Sequence, residues 1–356
     1  MTEYISNFEK LIEESDESKK TLFVSMQTWL EVFKYPSVEA TSYDRMECTA
    51  RNRVYPILGD RIVSTIKASD IKKIMTDRMN KGYAYTTVKK IHDLFNEYFR
   101  HLMQEGIIIK NPMVSAPMMK KSIFMAAQGK ENLPTNETVV VFTPEEIEEF
   151  KKECFRCWGN GKRIYQQSEA YILMLNTGIR AGEALGLLNS DINLENRTMT
   201  IHQGVKEIFK RDGVKATGGT KIKIGKPKSE TSKRTVPLNN AAIEMIKELR
   251  KQFYFGENSP LICDEKGEYT KPVNFRKRCY RILEASNIKR KGLHSLRHTF
   301  ATNLVNGIKQ EYGCIKSLTP KQVADLLGHS TSEITERYYV QKDTKRLNGI
   351  TDNFEL

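Results

Sequence analysis

The hydrophobic period of this sequence changes along the chain, and the order of the changes restricts the fold more than any other feature. Apolar residues recur at helical spacing over 22–112, most clearly at Val88, Ile91, Phe95, Phe99 and Leu102. Periodicity is lost over 114–142, returns as helix, switches to a period of two over 198–238, and then returns to helix. This order predicts a mainly α protein with a small antiparallel β-sheet in its second half.

The same changes divide the chain into segments. A polar tail, 1–20, precedes a helical domain of four or five short helices, 21–113, which ends at an Asn-Pro stop. A linker, 114–142, separates it from an α+β domain, 143–340, and a short tail, 341–356, follows. Within the α+β domain we expect a three-stranded antiparallel sheet or a long hairpin, with Gly218-Gly219 as a turn.

Composition restricts the partners. The 356 residues carry a formal net charge of +13, which favours a polyanionic partner such as nucleic acid. The first twenty residues are polar and acidic rather than a signal peptide, and no apolar run approaches the roughly 18–20 residues that span a bilayer. Six cysteines in a chain of this length do not indicate a disulfide framework. We therefore expect a cytoplasmic protein that does not enter a membrane.

Cys154 and Cys157 form a CxxC pair, for which packing is the simpler interpretation. Thr143, Pro144 and Glu146 predict a capped helix start, and both cysteines then fall on the apolar face of that helix. A zinc site would require a second cysteine pair, and the sequence has none. We expect both thiols to be buried.

The stretch HSLRHTF raises a choice between metal and phosphate. On a helix, His294, Arg297 and His298 share one stripe, apart from the apolar stripe of Leu296 and Phe300. A zinc helix of the HExxH type would need glutamate after the first histidine, where this chain has serine, and the arginine would repel a divalent metal. A guanidinium beside histidines instead suits a phosphate oxygen.

Two further motifs carry polar side chains at helix ends. In LTPKQVADLLGHSTSEITERYYV a capped helix closes at Gly328, His329 follows in the turn, and a helix opening at Ser330 carries Tyr338 and Tyr339. In LNTGIRAGEALGLL the Thr-Gly break places Arg180 at the start of the next helix. Alone, two tyrosines on a helix are more often packing residues than catalytic ones, and Arg180 is compatible with a plain surface charge.

Taken together, TGIRAGE, HSLRHTFAT and LGHS, with a tyrosine nine residues after its histidine, resemble the tyrosine recombinase or phage integrase family. The resemblance covers most of 143–340 in order and spacing. It implies an α+β catalytic domain there, and it implies that the helical domain is a SAM-like core-binding domain. The expected function is site-specific DNA recombination of the kind used by mobile-element integrases.

The resemblance also implies a role for each residue. Tyr338 would attack the scissile phosphate and form a 3′-phosphotyrosine intermediate, with Tyr339 as the less favoured alternative. Arg180 and Arg297 would bind the non-bridging oxygens, and His294 would hydrogen-bond the same phosphate.

Four more residues complete the predicted site. His329 would donate to a phosphate oxygen, and Lys228, with Lys226 as the alternative, would protonate the leaving 5′ oxygen. Glu183 is expected to hold Arg180 by an ion pair, and His298 to support the helix rather than touch phosphate. Because the covalent intermediate conserves the phosphodiester energy, neither metal nor ATP is expected as a cofactor.

The expected partners follow from the same resemblance. They are double-stranded DNA with specific recombination sites, further copies of the chain in a tetramer on synapsed DNA, and an accessory directionality factor. The tail 341–356 is a candidate segment for packing on a neighbouring subunit, with a frayed terminus as the alternative. Candidate phosphate contacts are Lys89, Lys90, Lys226 and Lys233, for which a solvated charged surface is equally compatible.

Three alternatives stay open on sequence grounds. A DNA-binding accessory factor of the same fold would bind without cutting, although it has no need of the tyrosine. A topoisomerase-like enzyme would relax DNA without exchanging strands. A metal-dependent nuclease would use His294, His298 and nearby acids, and it would stop cutting in EDTA.

Overall fold

The computed structural model describes residues 18–131, 139–225, 233–309 and 315–339. These residues form two compact units. The first contains 18–131 together with 208–220, and the second contains the rest of the described chain. The chain is thus mainly α with small antiparallel sheets, as the order of periods predicts. Among the helices that the structure describes, none is long and apolar enough to span a membrane.

The first unit is helical apart from the tip of a β-hairpin. Short π-helical turns extend α1 and α2 at their C-terminal ends. Its helices are α1 Leu22–Trp29, α2 Ala40–Thr49, α3 Tyr55–Leu58, α4 Ala68–Asn80, α5 Tyr85–Gln104 and α6 Lys121–Ala127.

Helix α5 supplies much of the core of this unit. The five apolar residues whose spacing predicts it are all buried, with Tyr98 and Leu94 beside them. Helix α6 lies inside the segment 114–142 that the sequence assigns to a linker. Its Phe124 is buried in the same core and its ring packs edge-on against Tyr85. With only seven residues, α6 is too short to give a readable period, and one buried aromatic residue anchors it.

The hairpin tip 208–220 joins the first unit through Arg211. Its guanidinium lies 2.6 Å from Asp44 and 2.7 Å from Glu47, and it stacks over the ring of Tyr43. The backbone N–H of Phe209 donates to Asp44 at 2.9 Å. These mostly buried ion pairs satisfy two carboxylates on α2 that would otherwise lie close together without a counter-charge.

The second unit is built around helix α8. It packs against α10 and α12, and it carries buried residues on all sides. The helices of this unit are α7 Pro144–Cys154, α8 Glu169–Thr177, α9 Ala181–Ala184, α10 Asn240–Gln252, α11 Pro272–Ala285, α12 His294–Asn306, α13 Pro320–Leu327 and α14 Ser332–Tyr339.

Both predicted β arrangements are present. Strands β1 (Ile192–Asn193), β2 (Thr198–Ile201) and β5 (Arg234–Pro237) form an antiparallel sheet in the order β1-β2-β5, with Met199 opposite Val236. Strands β3 (Gly204–Asp212) and β4 (Lys215–Gly225) form a hairpin, and β6 (Ile308–Lys309) pairs with β7 (Ile315–Lys316).

The turn of the hairpin is not where the glycine pair predicts it. The chain turns at Gly213-Val214, with Gly213 at φ 55°, while Gly218 and Gly219 lie within β4 at φ 87° and 72°. A single glycine with positive φ is enough for a tight turn, so the Gly-Gly pair was the wrong signal.

The prediction for the cysteine pair is half wrong. The capping box at Thr143 is formed, and Cys154 is buried at the end of α7. Helix α7 stops there, however, and Cys157 is exposed in a short bridge to Arg163. Cys157 therefore lies beyond the end of the helix, although its spacing from Cys154 is helical.

Candidate active site

The first element of the site is the turn between α8 and α9. Gly178 adopts φ 65°, and a Cβ there would lie 2.3 Å from Cδ1 of Phe300. Only glycine fits this conformation and this close approach. The turn places Arg180 at the start of α9, where Glu183 accepts from its backbone N–H at 2.9 Å and its guanidinium at 2.7 Å. The predicted ion pair is formed.

Glu183 also binds an arginine that the sequence analysis did not single out. Arg234, the first residue of β5, donates to the Glu183 carboxylate at 2.9 Å and through Nε to the Leu326 carbonyl at 3.0 Å. Burial raises the pKa of Glu183, but the hydrogen bonds and charges of Arg234 and Arg180 outweigh it, so the net pKa is lowered. The carboxylate therefore connects α9 to the sheet, and Arg234 connects both to α13.

Arg297 lies at the centre of the site and is only 1% exposed. Its two terminal nitrogens donate to the carbonyls of Gly178 and Leu327, each at 2.8 Å. These carbonyls lie at the C-terminal ends of α8 and α13, where the helix dipole favours a cation. Burial and the charge of Arg180 lower the pKa of Arg297 to about 9, which leaves it charged at neutral pH.

The sequence separates a polar stripe from an apolar stripe on α12, but the two differ less in burial than expected. His294 is exposed and His298 is partly buried, whereas Arg297 and Leu296 are both fully buried. Because α8 and α13 cover this helix, an arginine on the polar stripe still meets carbonyl oxygens rather than water.

His329 follows α13 in a fixed turn. Gly328 closes the helix at φ 66°, as the sequence predicts, and a Cβ there would lie 3.0 Å from Cδ of Arg234. Nδ1 of His329 lies 2.9 Å from the Thr335 hydroxyl on α14, which leaves Nε2 for a ligand. Burial, with the positive charges of Arg297 and Arg180, lowers the pKa of His329 to about 4.

The two histidines of α12 pack edge to face, with ring centroids 5.0 Å apart. The pKa of His298 falls to about 4 through burial and the nearby charges of His294 and Arg297. The pKa of His294 is lowered because the surrounding protein removes part of its hydration and because Arg297 and Arg180 repel a proton. Both imidazoles are therefore neutral at pH 7 and able to accept as well as donate.

The two adjacent tyrosines of α14 differ in environment. Tyr339 is 3% exposed, its hydroxyl lies 2.7 Å from Nδ1 of His298, and burial raises its pKa. Tyr338 is 37% exposed, and its ring stacks 6.3 Å from that of His298. Helix α14 begins at Ser332, one residue after the start that a cap at Ser330 predicts.

The predicted lysines lie apart from this cluster or outside the description. Lys226 and Lys228 fall outside the described residues, as does the tail 341–356. Lys233 is exposed just before β5. On α5 of the first unit, Lys89 pairs with Asp93 at 2.7 Å and Lys90 is exposed. In the part of the chain that the structure describes, no three His, Cys, Asp or Glu side chains group as metal ligands.

Arginines and histidines from distant positions thus gather at the ends of α8, α12 and α13, and the family comparison agrees with that arrangement. The model of the phage integrase family matches residues 141–346. The chain belongs to the phage integrase family. This phage integrase is a tyrosine-type site-specific DNA recombinase.

Known proteins resemble the recombinase over most of its length. A XerC-like tyrosine recombinase of Caldanaerobacter subterraneus is 27% identical over 90% of this chain and 78% of its own length. The transposase of transposon Tn916 from Enterococcus faecalis is 24% identical over 82% of this chain and 69% of its own.

Solved structures share the fold of the recombinase. The Tn1549 transposon integrase in complex with a circular intermediate DNA has a TM-score of 0.70 at 21% identity, over 94% of this chain and 99% of that one. A lambda integrase tetramer bound to a Holliday junction has a TM-score of 0.63 at 16% identity, over 96% of this chain and 89% of that one.

Proposed function

We propose that this recombinase cleaves and rejoins duplex DNA at specific sites through a 3′-phosphotyrosine intermediate on Tyr338, without metal or ATP. The observation that carries the proposal is Arg297. It is a buried guanidinium whose hydrogen bonds go to carbonyl oxygens, and among the described residues no carboxylate lies within ion-pair distance of it. A buried cation without a counter-ion is costly, and a bound phosphate would supply the missing charge.

The proposed reaction uses each group in one role. The Tyr338 oxygen attacks phosphorus, the bond to the 5′ oxygen breaks, and the 5′ hydroxyl leaves after taking a proton. Arg180 and Arg297 stabilise the charge that develops on the non-bridging oxygens. A neutral His294 hydrogen-bonds the same phosphate and accepts the tyrosine proton. Lys228 is proposed as the acid for the leaving oxygen.

His329 and the two supporting residues complete the set. His329 donates from Nε2 in the tautomer whose Nδ1 accepts from the Thr335 hydroxyl. Glu183 holds Arg180, and His298 holds the Tyr339 hydroxyl, which supports the more exposed Tyr338 as the nucleophile. The 5′ hydroxyl of a partner strand then attacks the phosphorus of the phosphotyrosine and gives up its proton. The bond to the Tyr338 oxygen breaks and the tyrosine is reprotonated, so the exchange needs no further energy source.

The wider assembly is also a proposal. The first unit, with Lys89 and Lys90, would serve as the core-type DNA-binding domain, and four copies would act on two synapsed sites. Support comes from the folds of the Tn1549 integrase bound to DNA and the lambda integrase tetramer. The Tn916 relative supports an origin on a mobile element, and an accessory protein would set the direction of the reaction.

Trapping on nicked duplex DNA that carries a candidate recombination site tests the chemistry. The wild type in EDTA is expected to form a covalent protein–DNA adduct, Tyr339→Phe to form it as well, and Tyr338→Phe to form none. An adduct that persists in Tyr338→Phe would contradict the choice of nucleophile. Adduct formation that is lost in EDTA would contradict the metal-free mechanism, and no wild-type adduct on a bound site would favour an accessory factor.

A further inference from the structure

A second basic site lies in the second unit at the opposite end of α8 from the catalytic residues. It is a cavity of about 1130 Å³ bordered by the 155–166 loop, the end of α10 and one face of α11. Arg180 follows the C-terminal end of α8, whereas this groove lies beside its N-terminal end. A helix of nine residues is about 13 Å long, so the two sites are separate.

The groove carries an excess of positive charge, although Glu248, which pairs with Lys251, and Glu265 also line it. Lys162, Lys277, Arg278 and Arg281 line it, and within the described ranges no carboxylate forms an ion pair with any of them. One terminal nitrogen of the Arg278 guanidinium is buried without a hydrogen-bond partner. Because this nitrogen has no accessible surface, Arg278 adds positive charge beneath the groove rather than a donor that a ligand can reach.

An exposed tryptophan stands at the edge of the same groove. Trp158 is 60% exposed on a tight turn, where its backbone N–H donates to the Lys162 carbonyl at 2.8 Å and its carbonyl accepts from Gly161 at 2.9 Å. Arg163 fixes the base of the turn through Glu169 at 2.8 Å. These bonds fix the backbone of the loop that carries the exposed indole. A large exposed aromatic residue beside cations is typical of a binding surface.

We propose that this groove binds the backbone of duplex DNA away from the cleaved phosphate. Lys277 and Arg281 would contact phosphate oxygens, and Trp158 would pack against deoxyribose. The planar guanidinium group of arginine matches the geometry of a phosphate. A second contact surface would add phosphate contacts without touching the reacting atoms. The choice of DNA as the anion rests on the proposed function.

The salt dependence of DNA binding tests this proposal. We compare the full-length wild type with Lys277→Gln/Arg281→Gln, two exposed positions outside the cores. Each lost phosphate contact should reduce the log–log salt slope by about 0.9, so the double variant should lose about 1.8. Its affinity deficit should therefore shrink by about tenfold between 50 and 200 mM salt. Trp158→Ala should weaken binding severalfold with the slope unchanged, because no counter-ion is released by an apolar contact.

A matched variant controls for net charge. Lys152→Gln/Lys247→Gln removes the same two charges from exposed positions on α7 and α10, outside both sites. It should keep a slope close to that of the wild type. The proposal fails if the groove variant keeps the wild-type slope, which would leave the groove to an acidic protein, or if the control loses as much.

Covalent trapping separates this result from the proposed function. In this assay the control variant Lys152→Gln/Lys247→Gln, which lies outside both sites, should form the adduct at the wild-type rate. A reduced slope together with no wild-type adduct would support the groove and reject the chemistry. A normal adduct together with an unchanged slope would do the reverse.

Discussion

Each side chain of the candidate site is held by a partner from a different part of the sequence. Glu183 binds Arg180 three residues before it and Arg234 on the sheet, while Arg297 binds carbonyls on either side of α12. The histidines are kept neutral by burial and by these arginines. A bound phosphate would offset the positive charge of the arginines and so raise the pKa values of the histidines. The site is therefore expected to take up protons when the phosphate binds.

The depressed histidine pKa values predict how stability depends on pH. His298 and His329 have a pKa of about 4 in the folded protein and an ordinary value near 6.5 when unfolded. Between these values the unfolded state binds more protons, so stability is present above about pH 6.5 and is lost as pH falls toward 4. Thermal unfolding of the DNA-free protein should occur a few degrees lower at pH 5.5 than at pH 7.5.

A paired variant identifies the histidines as the source. His298→Gln/His329→Gln cannot titrate in this range, and glutamine retains hydrogen-bonding groups for Tyr339 and Thr335. Its melting temperature should fall less between the two pH values than that of the wild type. An equal fall in both proteins would assign the effect to other groups.

At the scale of elements, the sequence correctly predicts the features that depend on neighbouring residues alone, namely helix starts and strands. The capping residues at Thr143 and Thr319 mark helix starts correctly, and the period-two segments become strands. Burial of Arg297, the role of Arg234 and the hairpin turn at Gly213 all depend on what packs against them. The motif RTVPL contains Arg234, but a strand pattern does not show that its first residue reaches two helices.

Local sequence rules do not assign a role to the residues of the candidate site. The resemblance to a family singled out Arg180, His294, Arg297 and His329, and the structure brings all four to adjoining helix ends. Periodicity alone placed the arginine and histidines of α12 on one stripe without distinguishing phosphate binding from a plain surface. Chemistry at such a stripe depends on neighbours that come from other parts of the chain.

The turn after α8 can be used to measure how much close packing at Gly178 contributes to stability. Gly178→Ala would force a Cβ into Phe300 and Leu327 and would strain a left-handed backbone, at a cost of about 2–5 kcal/mol. Gly161→Ala has the same strain at φ 79° with open space around it, so it should cost only about 1–2 kcal/mol. Chemical unfolding of both variants measures the difference, and equal losses would show that packing at Gly178 is unimportant.

At the scale of the molecule, the first unit is not continuous in sequence. It combines 18–131 with the hairpin tip 208–220, and Arg211 on that tip neutralises Asp44 and Glu47. A fragment that ends at residue 131 keeps both carboxylates but lacks their guanidinium. The stability of this unit therefore depends on residues encoded well beyond its helices.

Because the first unit depends on Arg211, the same substitutions are expected to change its stability in opposite directions in the full chain and in a fragment without Arg211. In the full chain, Asp44→Asn/Glu47→Gln should destabilise the first unit by about 2–4 kcal/mol, because Arg211 is left buried without a partner. In the fragment 18–131 the same substitutions should be neutral or stabilising, since they remove two close like charges. Hydrogen exchange of α2 in the full chain and urea unfolding of the fragment measure the two effects. Destabilisation of similar size in both would show that Arg211 is not the relevant partner.

The discontinuous first unit also has a consequence for synthesis on the ribosome. Its last helix is complete by residue 131, but its hairpin tip is translated about 90 residues later. At roughly 5–20 residues per second, the helices wait on the order of ten seconds for Arg211. During that interval Asp44 and Glu47 face each other unpaired, so a nascent chain passes through a stage in which this unit is at its least stable. Rare codons placed between 131 and 220 would prolong that stage and expose the helices to proteases and chaperones for longer.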